Sequence, residues 1–130
     1  MDIDQGSSLL HAACDEGSLV EVDAQSGKIR QEWPLAGGPD ATFFNPKSGV
    51  VHVAIGDPGL IQSVHPRTGD SKRFVTAIGA TTMALIEPEP ALRVFSLAQG
   101  SSRSQRSLGK IFICTPTRGR ARRDALPYRR

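Results

Sequence analysis

Short apolar runs, broken by Gly, Pro, Asp and Asn, follow one another from Met1 to Leu97, and within most runs apolar and polar residues alternate. Alternation at period two puts successive side chains on opposite faces of a strand, and no window before Gly100 carries a helical period. The pattern predicts strands over Met1–Asp4, Leu9–Cys14, Leu19–Asp23 and Lys28–Leu35, then Ala41–Asn45, Val50–Ile55, Leu60–His65 and Ser71–Ala77. Two more follow, Thr82–Glu87 and Leu92–Leu97, before the alternation is lost. Between the strands lie turn residues. Asp15-Glu16-Gly17 and Gly56-Asp57-Pro58-Gly59 separate second from third strands, and Gln25-Ser26-Gly27 and Arg67-Thr68-Gly69 separate third from fourth. In each, glycine is free to take the positive φ that a tight turn asks for.

The strands come in groups of four that repeat. Leu10-His11-Ala12-Ala13 aligns with Val51-His52-Val53-Ala54, Leu19–Asp23 with Ile61–His65, and Asn45-Pro46 with Glu87-Pro88, at offsets of 41 or 42 residues. Four short strands at this period are the mark of a β-propeller blade. The expected fold is all-β, an incomplete propeller with one blade over 1–40, a second over 41–81 and a partial third over 82–98. Propellers close with about four to eight blades, and each blade rests on its neighbours. The chain is therefore expected to be part of a larger propeller, or to self-associate through its open blade faces.

Charge divides the chain at the same place. Residues 1–98 hold seven Lys/Arg and twelve Asp/Glu, a net −5, whereas 99–130 hold nine and one, a net +8. The basic segment is rich in Ser, Arg and Gly, too poor in apolar residues to order itself, and only Lys110–Cys114 has the composition of a strand. It is expected to be a disordered tail, with weak polyanion binding through phosphate neutralisation. Phe112 and Tyr128 are its only aromatic residues, few for base stacking. The coincidence of the charge break with the end of the third blade suggests truncation or a shifted reading frame. With 5% aromatic residues, the blades must build their cores from Val, Ile, Leu and Ala. No apolar run is long enough to cross a membrane, and no export signal opens the chain, so as given it would stay in the cytoplasm.

Several weak elements in fixed order carry a family resemblance. The paired Leu10–Ala13 and Val51–Ala54 strands are followed by Asp15-Glu16-Gly17-Ser18, Val22-Asp23, Ser26-Gly27-Lys28, Gly37-Gly38-Pro39-Asp40 and Phe44-Asn45-Pro46, with Gly56-Asp57, Thr68-Gly69 and Ile86-Glu87-Pro88 in the second blade. Over about residues 1–97 this resembles the YVTN family of propeller repeats. His65 stands where that repeat has Asp, Asp70 where it has Lys, and Gly79-Ala80 where it has Gly-Pro. The resemblance implies a seven-bladed parent, periplasmic or secreted, and transfers fold rather than activity.

Because strands run alternately up and down, loops after the second and fourth strands share one rim. Asp15, Glu16, Asp40 and Asp57 fall there, Lys47 and Arg67 on the opposite rim. Rim loops on rigid scaffolds carry binding residues, although Asp beside Gly is also common turn chemistry. His11 and His52 occupy equivalent positions, which invites a metal pair; without a recurring carboxylate or Cys beside them, they read as residues in the usual aromatic position of the second strand. Cys14, aligned with Ile55, reads as a small buried hydrophobe, and Cys114 has no partner in a redox or haem-attachment spacing. No metal, cofactor or catalytic residue is assigned. The leading function is a non-catalytic binding scaffold. The alternatives are part of a lactonase-like propeller hydrolase, and non-specific nucleic-acid binding by the tail.

Overall fold

A computed structural model describes residues 1–86, 91–96 and 110–114. All of their regular elements are strands, arranged in three antiparallel sheets. The first sheet holds β1 (Asp2–Asp4), β2 (Leu9–Cys14), β3 (Ser18–Asp23) and β4 (Ile29–Pro34), in that spatial order. The second repeats it with β5 (Ala41–Asn45), β6 (Val50–Ile55), β7 (Leu60–Val64) and β8 (Ser71–Val75). The third pairs β9 (Ala80–Ile86) with β10 (Ala91–Ser96), and β10 with β11 (Lys110–Cys114). These are propeller blades. The basic tail thus supplies a strand at the one place where its composition allowed it, so disorder does not extend over 110–114; the rest of 99–130 lies outside the described residues.

The repeat is conformational as well as compositional. Ser8 (φ 57°) and Gly49 (φ 67°) close the first turn of each blade, and Gly17 (φ 86°) and Gly59 (φ 87°) the second. Asp4 Oδ1 accepts from the Gly6 N–H, as Asn45 Oδ1 does from Lys47 N–H at 3.0 Å, so one acceptor side chain shapes both first turns. The third turns share their backbone, the Gly27 and Gly69 N–H groups donating to Asp23 O and His65 O at 2.8 Å, and differ in their side-chain bonds. Asp23 Oδ1 accepts from the amides of Gln25 and Ser26, at 3.1 and 2.9 Å. With His65 in place of that Asp, the second blade instead uses a Thr68 hydroxyl donating to Asp70 Oδ2 at 2.8 Å.

The first strands crowd together: β5 touches both β1 and β9. The blades stack face to face, with the second between the other two. Its buried residues Phe44, Val51, Val53, Ile55, Leu60 and Val64 form one core with Leu19 of β3, edged by Ala13, Trp33, Leu35 and Ala36 of the first blade. β7 is buried along its whole length, whereas β4 and β8 are mostly exposed, as outermost strands should be.

Candidate functional site

The acidic rim is built from two hairpin turns and the connector between the first two blades. Asp15 and Glu16 are exposed in the β2–β3 turn, which closes where the Gly17 N–H donates to Cys14 O at 2.9 Å. Asp57 is exposed in the β6–β7 turn, and Asp40 is exposed at the end of the connector. The structure joins two of these segments. The Gly56 N–H donates to Asp40 Oδ2 at 2.7 Å, and the Asp40 N–H donates to Ala54 O at 2.9 Å. A Cβ at Gly37 would stand 2.7 Å from Asp57 O, so the connector lies directly on the β6–β7 turn. Asp40 is therefore held by turn structure, while the side chains of Asp15, Glu16 and Asp57 face solvent. Among the described residues, no group of three or more His, Cys, Asp and Glu could hold a metal ion.

A second polar arrangement lies between the blades, and the sequence pattern did not reveal it. Asp2, His11 and Glu21 are direct cross-strand partners over β1, β2 and β3, which puts all three on one face. His11 Nε2 is 3.3 Å from Glu21 Oε2, and its ring stacks on Phe44 of β5 with centroids 5.2 Å apart and an interplanar angle of 19°. The Phe44 N–H donates to Asp2 Oδ2 at 2.8 Å. His11 does take an aromatic packing position, as expected, but with a carboxylate beside it. The signal that could have exposed Glu21 is register: a hairpin of this length sets it opposite His11. His52 repeats the geometry with Ser63, Nδ1 to Oγ 2.8 Å, and burial pushes its pKa down from 6.5 to about 4. His11 is 1% and Glu21 7% exposed, so this pair fastens the blades and is closed to a soluble ligand, while Asp2 is half-buried at the end of the row.

Cys14 is half-buried and its thiol is free, less enclosed than the fully buried Ile55 at the equivalent position. Cys114 lies in β11. His65 sits at the turn, half-buried, with its Nδ1 buried and unpaired. On the rim opposite the carboxylates, a cleft of about 270 Å³ opens between the β1–β2 turn and β5, with Asp2, Asp4, Phe44 and Pro46 among its walls. A Ser7 side-chain hydrogen bond holds the Asp4 carboxyl below its ordinary pKa.

No known family matches the sequence, and no curated protein matches it. Two solved structures are similar to the chain in fold. Hydrazine synthase from Kuenenia stuttgartiensis matches with a TM-score of 0.74 over 88% of this chain and 31% of that one, at 14% identity. Sqt1 from Saccharomyces cerevisiae matches with a TM-score of 0.60 over 72% of this chain and 26% of that one, at 18% identity. Both are propeller-containing proteins, and at such identities the likeness shows a propeller-like fold and nothing of activity. The chain spans about a third or less of each structure's length.

Proposed function

We propose that the chain is a run of YVTN-type propeller repeats that works as a non-catalytic scaffold, offering the rim of Asp15, Glu16, Asp40 and Asp57 to a protein or small-molecule partner. The observation that supports this is the equivalence of the two blades: strand order and the positive-φ residues that close the turns repeat between them, and the acidic turns project from one rim of that frame. Rigid sheets with exposed charged loops suit recognition, since the loops lose little freedom on binding. Asp40 positions the β6–β7 turn, and Asp15, Glu16 and Asp57 make the contacts. The test compares the full chain with Asp15→Lys/Glu16→Lys/Asp57→Lys, both immobilised, in identical extracts. A partner retained by the parent and released by the variant supports the scaffold. Metal-dependent lactone hydrolysis abolished by Asp40→Ala would replace it with the hydrolase reading.

The net +8 of residues 99–130 favours a second reading, non-specific polyanion binding. Such affinity falls steeply with added salt and shows no sequence preference; tight binding of one sequence at physiological salt would refute it.

A further inference from the structure

The cleft between the β1–β2 turn and β5 carries two charges that the fold does not need. Asp2 and Asp4, both half-buried, stand in its walls with Phe44 and Pro46, and no Lys, Arg or His lines it. Asp2 accepts from the Ile3 and Phe44 N–H groups at 2.9 and 2.8 Å, and Asp4 from the Gly6 N–H at 3.0 Å and from the Ser7 hydroxyl. Each carboxylate oxygen thus makes one bond and keeps a lone pair. The second blade shows that these structural bonds ask for no charge. Asn45, 41 residues after Asp4, accepts the same turn bond from the Lys47 N–H at 3.0 Å with a neutral amide, and Phe43 takes the position of Asp2.

His11 supplies an independent mark. It is 1% exposed, is the cross-strand partner of Asp2, and stacks its ring on the Phe44 that walls the cleft. Its Nε2 lies on the ring edge turned to Glu21 of β3, which leaves the opposite edge, with Nδ1, on the side of β1; that nitrogen is buried and has no partner. The Glu21 carboxylate only accepts, so Nε2 carries its hydrogen and Nδ1 of the uncharged ring offers a lone pair. Asp2, Asp4 and His11 therefore all present acceptors. A hydrogen-bond donor seated beside Asp2 comes to the side on which Nδ1 lacks a partner.

The volume of about 270 Å³ lies under the range of drug-sized pockets, about 300–1,000 Å³, and suits a single side chain. A basic side chain answers acceptors with donors, compensates the two carboxylates, and lays an apolar stem on Phe44 and Pro46. Asp2 and Asp4 are two residues apart on one strand, about 7 Å along it, so the planar fork of five guanidinium donors serves both better than a compact ammonium. We propose that this cleft takes an arginine side chain of a protein partner, with Asp2 and Asp4 as its anchors. The site lies on the rim opposite Asp15, Glu16 and Asp57 and does not depend on the scaffold reading there.

The experiment titrates the full chain with acetyl-Gly-Arg-Gly-amide and follows backbone amide resonances. Gly6 and Phe44, whose N–H groups bond to Asp4 and Asp2, should shift saturably; Gln25 and Ser26, bonded to Asp23 in a turn outside the cleft, should not. Asp4→Asn keeps an acceptor for the Gly6 N–H, as Asn45 does for Lys47, and should weaken binding roughly tenfold while keeping the β-sheet circular dichroism signal. Where that variant fails to fold, a glutamine peptide and added salt test the charge on the parent chain, and each should weaken binding. Unmoved Gly6 and Phe44 resonances, equal shifts at Gln25 and Ser26, or an Asp4→Asn chain that binds as well as the parent would overturn the site. Equal binding of the lysine peptide would overturn the choice of guanidinium, and displacement of the arginine peptide by millimolar calcium would replace the side chain with a metal ion.

Discussion

Glu21 stands opposite His11 in the β2–β3 hairpin, Oε2 to Nε2 3.3 Å, at the position Ser63 takes opposite His52. One register thus serves two chemistries: a buried ionisable pair against the second blade and a neutral hydrogen bond against the third. His11 has no partner at Nδ1, so its whole polar satisfaction depends on Glu21. Glu21→Ala should cost about 1–3 kcal/mol, the penalty of a buried group left unpaired. The double variant His11→Phe/Glu21→Leu should recover most of that loss, because replacing a buried pair by apolar groups of similar volume is often neutral. Urea midpoints of the three chains decide it.

Gln62 is worth testing by giving it the residue of the first blade. Gln62→Val removes the bond that Nε2 donates to Pro34 O at the end of β4, the bond that Oε1 accepts from the Ala36 N–H of the connector, both at 2.9 Å, and a third, from Nε2 to Ser71 Oγ at 3.0 Å. The expected loss is about 1–3 kcal/mol, since Ala36 N–H and Pro34 C=O become unpaired. Hydrogen exchange at the Ala36 amide should accelerate more than exchange in β2. Equal acceleration at both would mean that Gln62 supports the global fold rather than the connector.

The pH response should trace to His52. Because burial lowers its pKa from 6.5 to about 4, the unfolded chain takes up a proton in that interval while the folded chain stays neutral. Its contribution is complete above the upper value and is lost as pH falls, by at most about 1.4 kcal/mol per pH unit. His52→Phe should flatten the difference in stability between neutral pH and the lower value, measured as a shift in urea midpoint. An unchanged slope would assign the response to other groups.

Gly59 tests how tightly the second turn is specified. A Cβ there would lie 2.6 Å from Ile78 N, at a φ of 87°. Gly59→Ala should destabilise by about 1–3 kcal/mol through strain and crowding against backbone. Gly38→Ala, where a Cβ meets nothing within 4 Å, should stay within about 0.5 kcal/mol of the parent. Comparable losses at both would show that the turn's close approach is not what matters.

Much of this architecture can be read directly from the chain, because strand alternation and turn chemistry are local. β2, β5 and β6 end where alternation ends, and the offset of 41 or 42 already pairs each element with its equivalent. The rim position of Asp15, Glu16, Asp40 and Asp57 follows from strand direction alone. What local pattern cannot reach is coverage and partnership. Val20 and Gln62 share a repeat position, yet only the second meets a connector, because only the second blade has a blade before it in the structure. Asp40 reads as a rim carboxylate until the Gly56 amide, sixteen residues away, is found at its oxygen. Glu21 looks like an outward polar residue of a strand, and it is buried because the second blade seals the face it shares with His11. Lys110–Cys114 is separated from β10 by a segment with no strand pattern, and its role as the third strand of the third sheet is decided by pairing across that gap. Periodicity fixes which face a side chain takes; whether that face meets water, a connector or another blade depends on contacts between residues far apart in sequence.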